Sequence, residues 1–236
     1  LASDAGRPGF REVWNNAEMI GGWLTRAQAE VLYDCAAALP PGAHVVEIGS
    51  HRGRSTVVLA GRVDVRVTAI DPFVGGRLFG GPTTRDVFES NLGAAGVRDR
   101  VRLITRRSNE LRPAWGDSID LLYVDGKHDY WTVSDDLAWA QFLPEGGRLL
   151  LHDCFSSIGV TLAVLRHILP SRHLAYEGRA GSLATLRVMR PTPSSRWAIV
   201  RQLPWWLRNV GIKILLRLRL RRVAALAGHL GPYDPF

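Results

Sequence analysis

Glu47, Gly49 and Gly53 stand at the end of an apolar run that starts at His44, just ahead of a helical stretch that begins near Ser55. An acid at a strand end, a glycine-bounded turn and a helix start suit a nucleoside cofactor. Glycines let the backbone approach a ligand closely, and the first N–H groups of a helix, with its partial positive end, favour a carboxylate. Eighteen residues past Gly53, about one crossover unit, Asp71 ends the next apolar run, where its carboxylate can accept both hydroxyls of a ribose. Dinucleotide-dependent oxidoreductases and epimerases also use a glycine-rich strand-to-helix turn. They admit a pyrophosphate with Gly-x-Gly-x-x-Gly, whereas this chain reads Glu-x-Gly-x-x-x-Gly. Two further positions bring acids and imidazoles together: Asp125 with His128 three residues on, and His152 beside Asp153.

Such groups need a scaffold that delivers strand ends to one crevice, and the pattern around them supplies one. Short leucine-rich or β-branched runs at 44–48, 65–70, 101–105, 119–125 and 148–152 lack polar alternation, as expected of parallel strands buried on both faces. Thr25 with Gln28 three residues later opens a helix by a capping box, and Pro40-Pro41-Gly42 closes it near Leu39. Helical patterns at 55–60, 84–95, 133–143 and 158–169 separate the strands, and 173–176 with 183–188 reads as a terminal hairpin. The alternation predicts an α/β domain over residues 1–190 with a mostly parallel seven-stranded sheet, an antiparallel terminal hairpin and an N-terminal lid over about 1–24.

The run Ile119-Asp120-Leu121-Leu122-Tyr123-Val124-Asp125-Gly126-Lys127-His128-Asp129-Tyr130, followed by Phe142-Leu143-Pro144-Glu145-Gly146-Gly147-Arg148-Leu149-Leu150-Leu151-His152-Asp153, makes the likeness specific. Together with the Glu47 motif it resembles class I S-adenosylmethionine-dependent methyltransferases, in particular the group of macrolide-sugar and other antibiotic-sugar O-methyltransferases, many of them magnesium-dependent. Gly22-Trp23-Leu24-Thr25 and Gly53-Arg54-Ser55-Thr56 fit the same group, and the likeness runs from about Gly22 to Val188. It implies the Rossmann-like methyltransferase fold, with S-adenosylmethionine held by Glu47, Gly49, Ser50, Gly53, Ser55, Asp71, Ser108 and Asp125. Ser108 follows the third strand, where related enzymes contact the adenine, although Arg107 beside it occupies a position often acidic in the family.

The fourth and fifth strands of such a sheet are neighbours, so Asp125 and Asp153 face one crevice and suit a hard cation such as Mg2+. In related sugar enzymes the residue before the second acid is often a further acidic ligand. Here it is His152, whose imidazole either ligates, with a leaning to softer divalent ions, or only hydrogen-bonds within the crevice. The Asp-x-x-His position of the group supplies a general base, which makes His128 with Asp125 the catalytic pair, and an imidazole that titrates near working pH suits the task. The plainer reading of His128 is a loop histidine capping the next helix. Asp129, Asp135 and Asp136 read as helix-start and surface charges. Gly75, Gly76, Gly80 and Gly81 give the loop after Asp71 the composition of a lid or of a long surface loop. The implied acceptor is a carbohydrate or a glycosylated small molecule, with a catechol-type acceptor as the alternative.

A net charge of +8 raises the question of nucleic acid, but the charge is concentrated. Eight of the 30 Lys and Arg fall between Ser194 and Leu230 without an Asp or Glu among them, and the other 22 balance 22 acids. No nucleic-acid partner is therefore expected. The basic, Trp/Leu/Arg-rich extension 191–236 follows the linker-like Pro191-Thr192-Pro193-Ser194-Ser195, leans to helix, and suits a membrane surface or a homodimer contact. Two cysteines, Cys35 and Cys154, give neither a disulfide framework nor zinc spacing. With no signal-peptide pattern and no apolar run of about 20 residues, the expectation is a cytoplasmic protein, peripheral at most to the membrane.

Overall fold

The computed structural model describes residues 9–61, 64–74, 82–229 and 231. The lid reading placed on Gly75, Gly76, Gly80 and Gly81 lies outside the described residues, as do the first eight of the N-terminal segment. The chain runs α1 (Phe10–Glu18), α2 (Arg26–Ala37), β1 (His44–Ile48), α3 (Arg54–Leu59), β2 (Arg66–Ile70), α4 (Pro82–Ala94), β3 (Val101–Ile104), α5 (Ser108–Leu111), β4 (Leu121–Val124), α6 (Tyr130–Leu137), β5 (Arg148–Leu151), α7 (Ile158–Ala163), β6 (Leu174–Ala180), β7 (Leu183–Val188), α8 (Pro193–Val200), α9 (Leu203–Arg217) and α10 (Arg221–Leu226). The capping box at the start of α2 forms as the sequence predicts, Thr25 and Gln28 bonding each other's backbone N–H.

Seven strands form one sheet in the order β3-β2-β1-β4-β5-β7-β6. The first five are parallel, and β7 runs antiparallel to both β5 and β6. β1 and β4 are buried at every position because helices cover both faces. The period of two sorts their side chains: Val45, Leu121 and Tyr123 join Leu32, Leu59, Phe88 and Leu92 on one side, while Val46, Ile48, Leu122 and Val124 join Trp139 and Phe155 on the other. Each large apolar side chain so buried contributes on the order of 1.5–3 kcal/mol before the entropy of ordering it is subtracted. Strand order reverses between β1 and β4, and in an open α/β sheet that reversal opens a crevice outside the carboxyl ends of the strands.

The basic extension is helical and lies against the domain. Ile199 of α8 is buried with the second cluster, the Arg179 guanidinium stacks 3.8 Å over the Trp205 ring, and fully buried Asn209 of α9 donates Nδ2 to the Phe155 carbonyl at 2.9 Å. One turn on, Lys213 donates to the next carbonyl, that of Ser156, at 2.9 Å. Helix α9 therefore braces the loop that follows β5.

Candidate active site

Ladder register assembles the crevice. The first residue beyond each strand still bonds to its neighbour: Gly49 to the Ile70 carbonyl at 2.9 Å, Asp71 to Ile104 at 3.2 Å, Asp125 to Ile48 at 2.8 Å and His152 to Val124 at 3.0 Å. In a parallel sheet this puts Asp71, Gly49, Asp125 and His152 side by side across neighbouring strands. Gly49 adopts φ +89°, and a side-chain carbon there would sit 2.2 Å from the Asp125 carbonyl oxygen. The turn after β1 and the turn after β4 are thus in backbone contact, which only glycine permits.

The turn after β1 is held from beneath. Asp71 accepts the amides of Ser50 (3.0 Å) and His51 (2.8 Å) on one oxygen and that of Phe73 (2.7 Å) on the other. A carboxylate has about four acceptor sites, so capacity for a ribose hydroxyl remains. Glu47 is fully buried and takes the hydroxyls of Ser55 and Thr56, and burial pushes its carboxyl up to about 7 against the opposing effect of those hydrogen bonds. Ser55 therefore meets Glu47 rather than standing free. Gly53 precedes α3, and the space where its side chain would be is taken by Leu92 and Phe88 of α4. Glu47, Gly53 and Ser55 shape the floor of the loop, while Gly49 and Ser50 form its wall toward Asp125.

Ser108, at the start of α5, donates its hydroxyl to Asp136. The reading of Asp129 as a helix-start charge holds, since it caps α6 by accepting the Thr132 amide at 3.1 Å. For Asp136 it fails: the side chain is fully buried, one oxygen has no hydrogen-bond partner, and burial pushes the carboxyl up to about 6. A carboxyl whose folded pKa exceeds its unfolded one contributes stability below about pH 4 and loses it as pH rises through about 6. Asp136→Asn is therefore expected to be more stable than the parent by about 1–3 kcal/mol near pH 8 and to show no advantage near pH 4. Thermal melts at both pH values check this, and an asparagine variant that is the less stable at both would refute it.

At the ends of β4 and β5 the structure brings together all four residues singled out from the sequence. His128 Nδ1 lies 3.0 Å from Asp153 Oδ2 and its Nε2 3.5 Å from Asp125 Oδ1. His152 Nδ1 lies 3.2 Å from Asp125 Oδ1 and 3.7 Å from Asp153 Oδ1. Burial opposes charge on every member, and the mutual contacts override it. His152 is held well above the ordinary imidazole range by Asp125 and Asp153, His128 is raised by the same two acids, and both carboxyls are lowered by the two imidazoles. His152 is buried, whereas the His128 side chain is 41% exposed and faces the crevice.

Asp125, His152 and Asp153 each offer one ligand atom, all within 4.8 Å of one another. Despite its nearness to Asp125, the buried His152 Nδ1 is not aligned for a hydrogen bond and has no such partner. The nitrogen and the two carboxylate oxygens converge on one point, and with the imidazole deprotonated the set fits a divalent cation, whose charge would stand in for the imidazolium's. His152 Nε2 is 3.4 Å from Gln28 Oε1, and Gln28 Nε2 donates to Ser182 at 3.0 Å, so the ring is oriented from behind with Nδ1 toward the acids. Tyr123 donates to Asp125 at 3.0 Å and Ser156 to Asp153 at 2.9 Å. The sequence shows Gln28 only as a capping residue and gives no sign of Tyr123, Ser156, Thr56 or Lys213 at the site.

A family model described as a methyltransferase domain matches residues 46–154. Solved structures share the fold. Cofactor-bound Rv0187 from MTB is 21% identical, covering 76% of this chain and 87% of its own, with a TM-score of 0.58. The O-methyltransferase from Bacillus cereus in complex with SAH is 17% identical, with 79% and 94% covered and a TM-score of 0.54. An rRNA methylase from Streptococcus thermophilus is 18% identical, with 68% and 95% covered and a TM-score of 0.52. The architecture is the α/β Rossmann-like methyltransferase fold, and the match to the methyltransferase-domain model runs from within β1 to just beyond the end of β5. Structures of this fold carry the names of both O-methyltransferases and rRNA methylases, so the fold names no acceptor.

Proposed function

We propose that this methyltransferase domain moves the methyl group of S-adenosylmethionine to a hydroxyl of a saccharide, on a free sugar chain or a glycosylated small molecule. The acid–imidazole cluster at the ends of β4 and β5, one strand from the Gly49 turn, carries the reading. His128 in its neutral form would take the proton of the acceptor hydroxyl on Nε2, the nitrogen farther from a carboxylate, and S-adenosylmethionine, when bound, would supply the methyl group and leave as the neutral thioether. Asp125 and Asp153 keep the imidazole oriented and stabilise it once it is protonated. Asp125, His152 and Asp153 would hold a divalent cation, which lowers the pKa of a bound hydroxyl and fixes its direction.

Support for a sugar comes from the resemblance in the 119–153 segment and from the rim of the crevice. Exposed Trp23 stands beside His51 of the cofactor loop, 5.8 Å between ring centroids, where an aromatic face can cover the C–H side of a pyranose. Calorimetry with S-adenosylmethionine and NAD, then turnover with sugar and catechol acceptors, tests the reading; turnover of catechols alone would replace the sugar. Asp71→Ala is expected to weaken S-adenosylmethionine binding roughly tenfold to a hundredfold, since it frees three loop amides as well as removing a ribose acceptor. Unchanged affinity would remove Asp71 from the cofactor site.

A further inference from the structure

We propose that the outer face of α9, continued by α10, docks this protein on an anionic phospholipid surface. Helix α9 has its apolar residues on both sides. Trp205, Asn209, Ile212 and Lys213 face the domain, as their burial and bonds show. On the other side Leu207, Ile214 and Leu218 are exposed at spacings of seven and four, which a 3.6-residue period lines up as one ridge with Gly211 between them. Beyond the end of α9, Leu220 and Val223 are also exposed, as is Leu226, whose exposure is 89%.

Around the ridge Arg201, Arg217, Arg219, Arg221 and Arg222 are exposed, and no acid occurs anywhere from Ser194 to Leu230. The charge identifies the occupant. A second copy meeting this face by two-fold symmetry would set the arginines against themselves with nothing to neutralise them. Nucleic acid would answer the arginines but leave the leucine ridge wet. An anionic bilayer rewards both, taking the leucines into the headgroup boundary while the guanidinium groups remain among lipid phosphates. Among the described residues no helix is long and apolar enough to cross a membrane, so α9 would lie in the plane of the surface. The opposite face of the same helix braces the loop carrying Asp153, which sets the crevice roughly one helix diameter, about 10 Å, from the lipid. This inference is independent of the acceptor proposed above.

The test uses the full chain with vesicles of phosphatidylcholine alone and of phosphatidylcholine mixed with phosphatidylglycerol, read by co-sedimentation. The parent is expected to pellet with the anionic vesicles and stay in solution with the neutral ones. A ridge variant (Leu207→Ser, Ile214→Ser, Leu218→Ser) and a charge variant (Arg217→Gln, Arg219→Gln, Arg221→Gln, Arg222→Gln) should each lose at least about tenfold in partitioning. Both should keep the parent's affinity for S-adenosylmethionine, which reports that they are folded. Residual binding of the ridge variant should fall with salt and that of the charge variant should not. Failure of the parent to pellet, equal pelleting of parent and both variants, or a dimer by light scattering that the ridge variant dissociates would each overturn the proposal.

Discussion

Asp153→Ala is expected to lower the rate of methyl transfer by about 10³ or more while S-adenosylmethionine affinity changes by less than about threefold. Asp153 meets both imidazoles and Ser156, so its loss removes a candidate ligand and frees His128 to turn away from the acceptor. Chelator added to the parent enzyme should reproduce most of the deficit and add nothing to the variant. His128→Ala is the companion measurement. A general base is typically worth about 10²–10⁴ in rate, and the His128 variant should still bind the cation because Asp125, His152 and Asp153 are untouched. Full turnover of the true acceptor in excess chelator would remove the cation from this account and leave His128 to stand alone.

Gly49→Ala is expected to cost about 3–5 kcal/mol, enough to unfold a large fraction of the protein at physiological temperature. The methyl group would fall 2.2 Å from the Asp125 carbonyl oxygen and 2.8 Å from the Gly126 Cα, both backbone atoms that cannot swing aside, and φ +89° is unfavourable for alanine in any surroundings. Gly93→Ala provides the contrast. It lies within α4 with nothing inside 4 Å of a built side-chain carbon, and it should stabilise by about 0.5–1 kcal/mol. Chemical denaturation of the two variants measures both, and a Gly49→Ala variant as stable as its parent would contradict the backbone contact on which the crevice rests.

The strands were legible in the sequence because burial on both faces leaves an apolar run with no polar interruption, as in Val45-Val46 and Leu121-Leu122. Gly49, Asp71, Asp125 and His152 were legible because each stands at the end of such a run. What sequence could not show is which neighbour each side chain meets. Asp136 looks like Asp135 in the chain, yet α6 turns one inward to Ser108 and leaves the other half-exposed beside Arg112. Glu47 reads as an acid offered to a ligand, but α3 brings Ser55 and Thr56 around to occupy it. The extension reads as separate because its attachments, Asn209 to Phe155 and Lys213 to Ser156, span more than 50 residues and follow no periodicity. The apolar pattern over 158–169 reads as one helix, and the structure widens its second half, Val164–Ile168, into a π turn.

Among the described residues five non-glycine positions have positive φ, and four of them, His51, Phe73, Asp153 and Phe155, border the crevice just beyond β1, β2 and β5. Left-handed backbone at ordinary residues costs on the order of 1–3 kcal/mol each. Phe73 and Phe155 are buried, and deleting such rings would forfeit more than the relaxed backbone returns. Aspartate and histidine both tolerate this conformation better than most residues, but Asp153 is held by His128 and Ser156, which leaves His51 as the position where relief comes most cheaply. A laboratory selection for heat resistance that is blind to turnover would be drawn to glycine or asparagine at 51, and would loosen the rim of the crevice in the course of improving the protein.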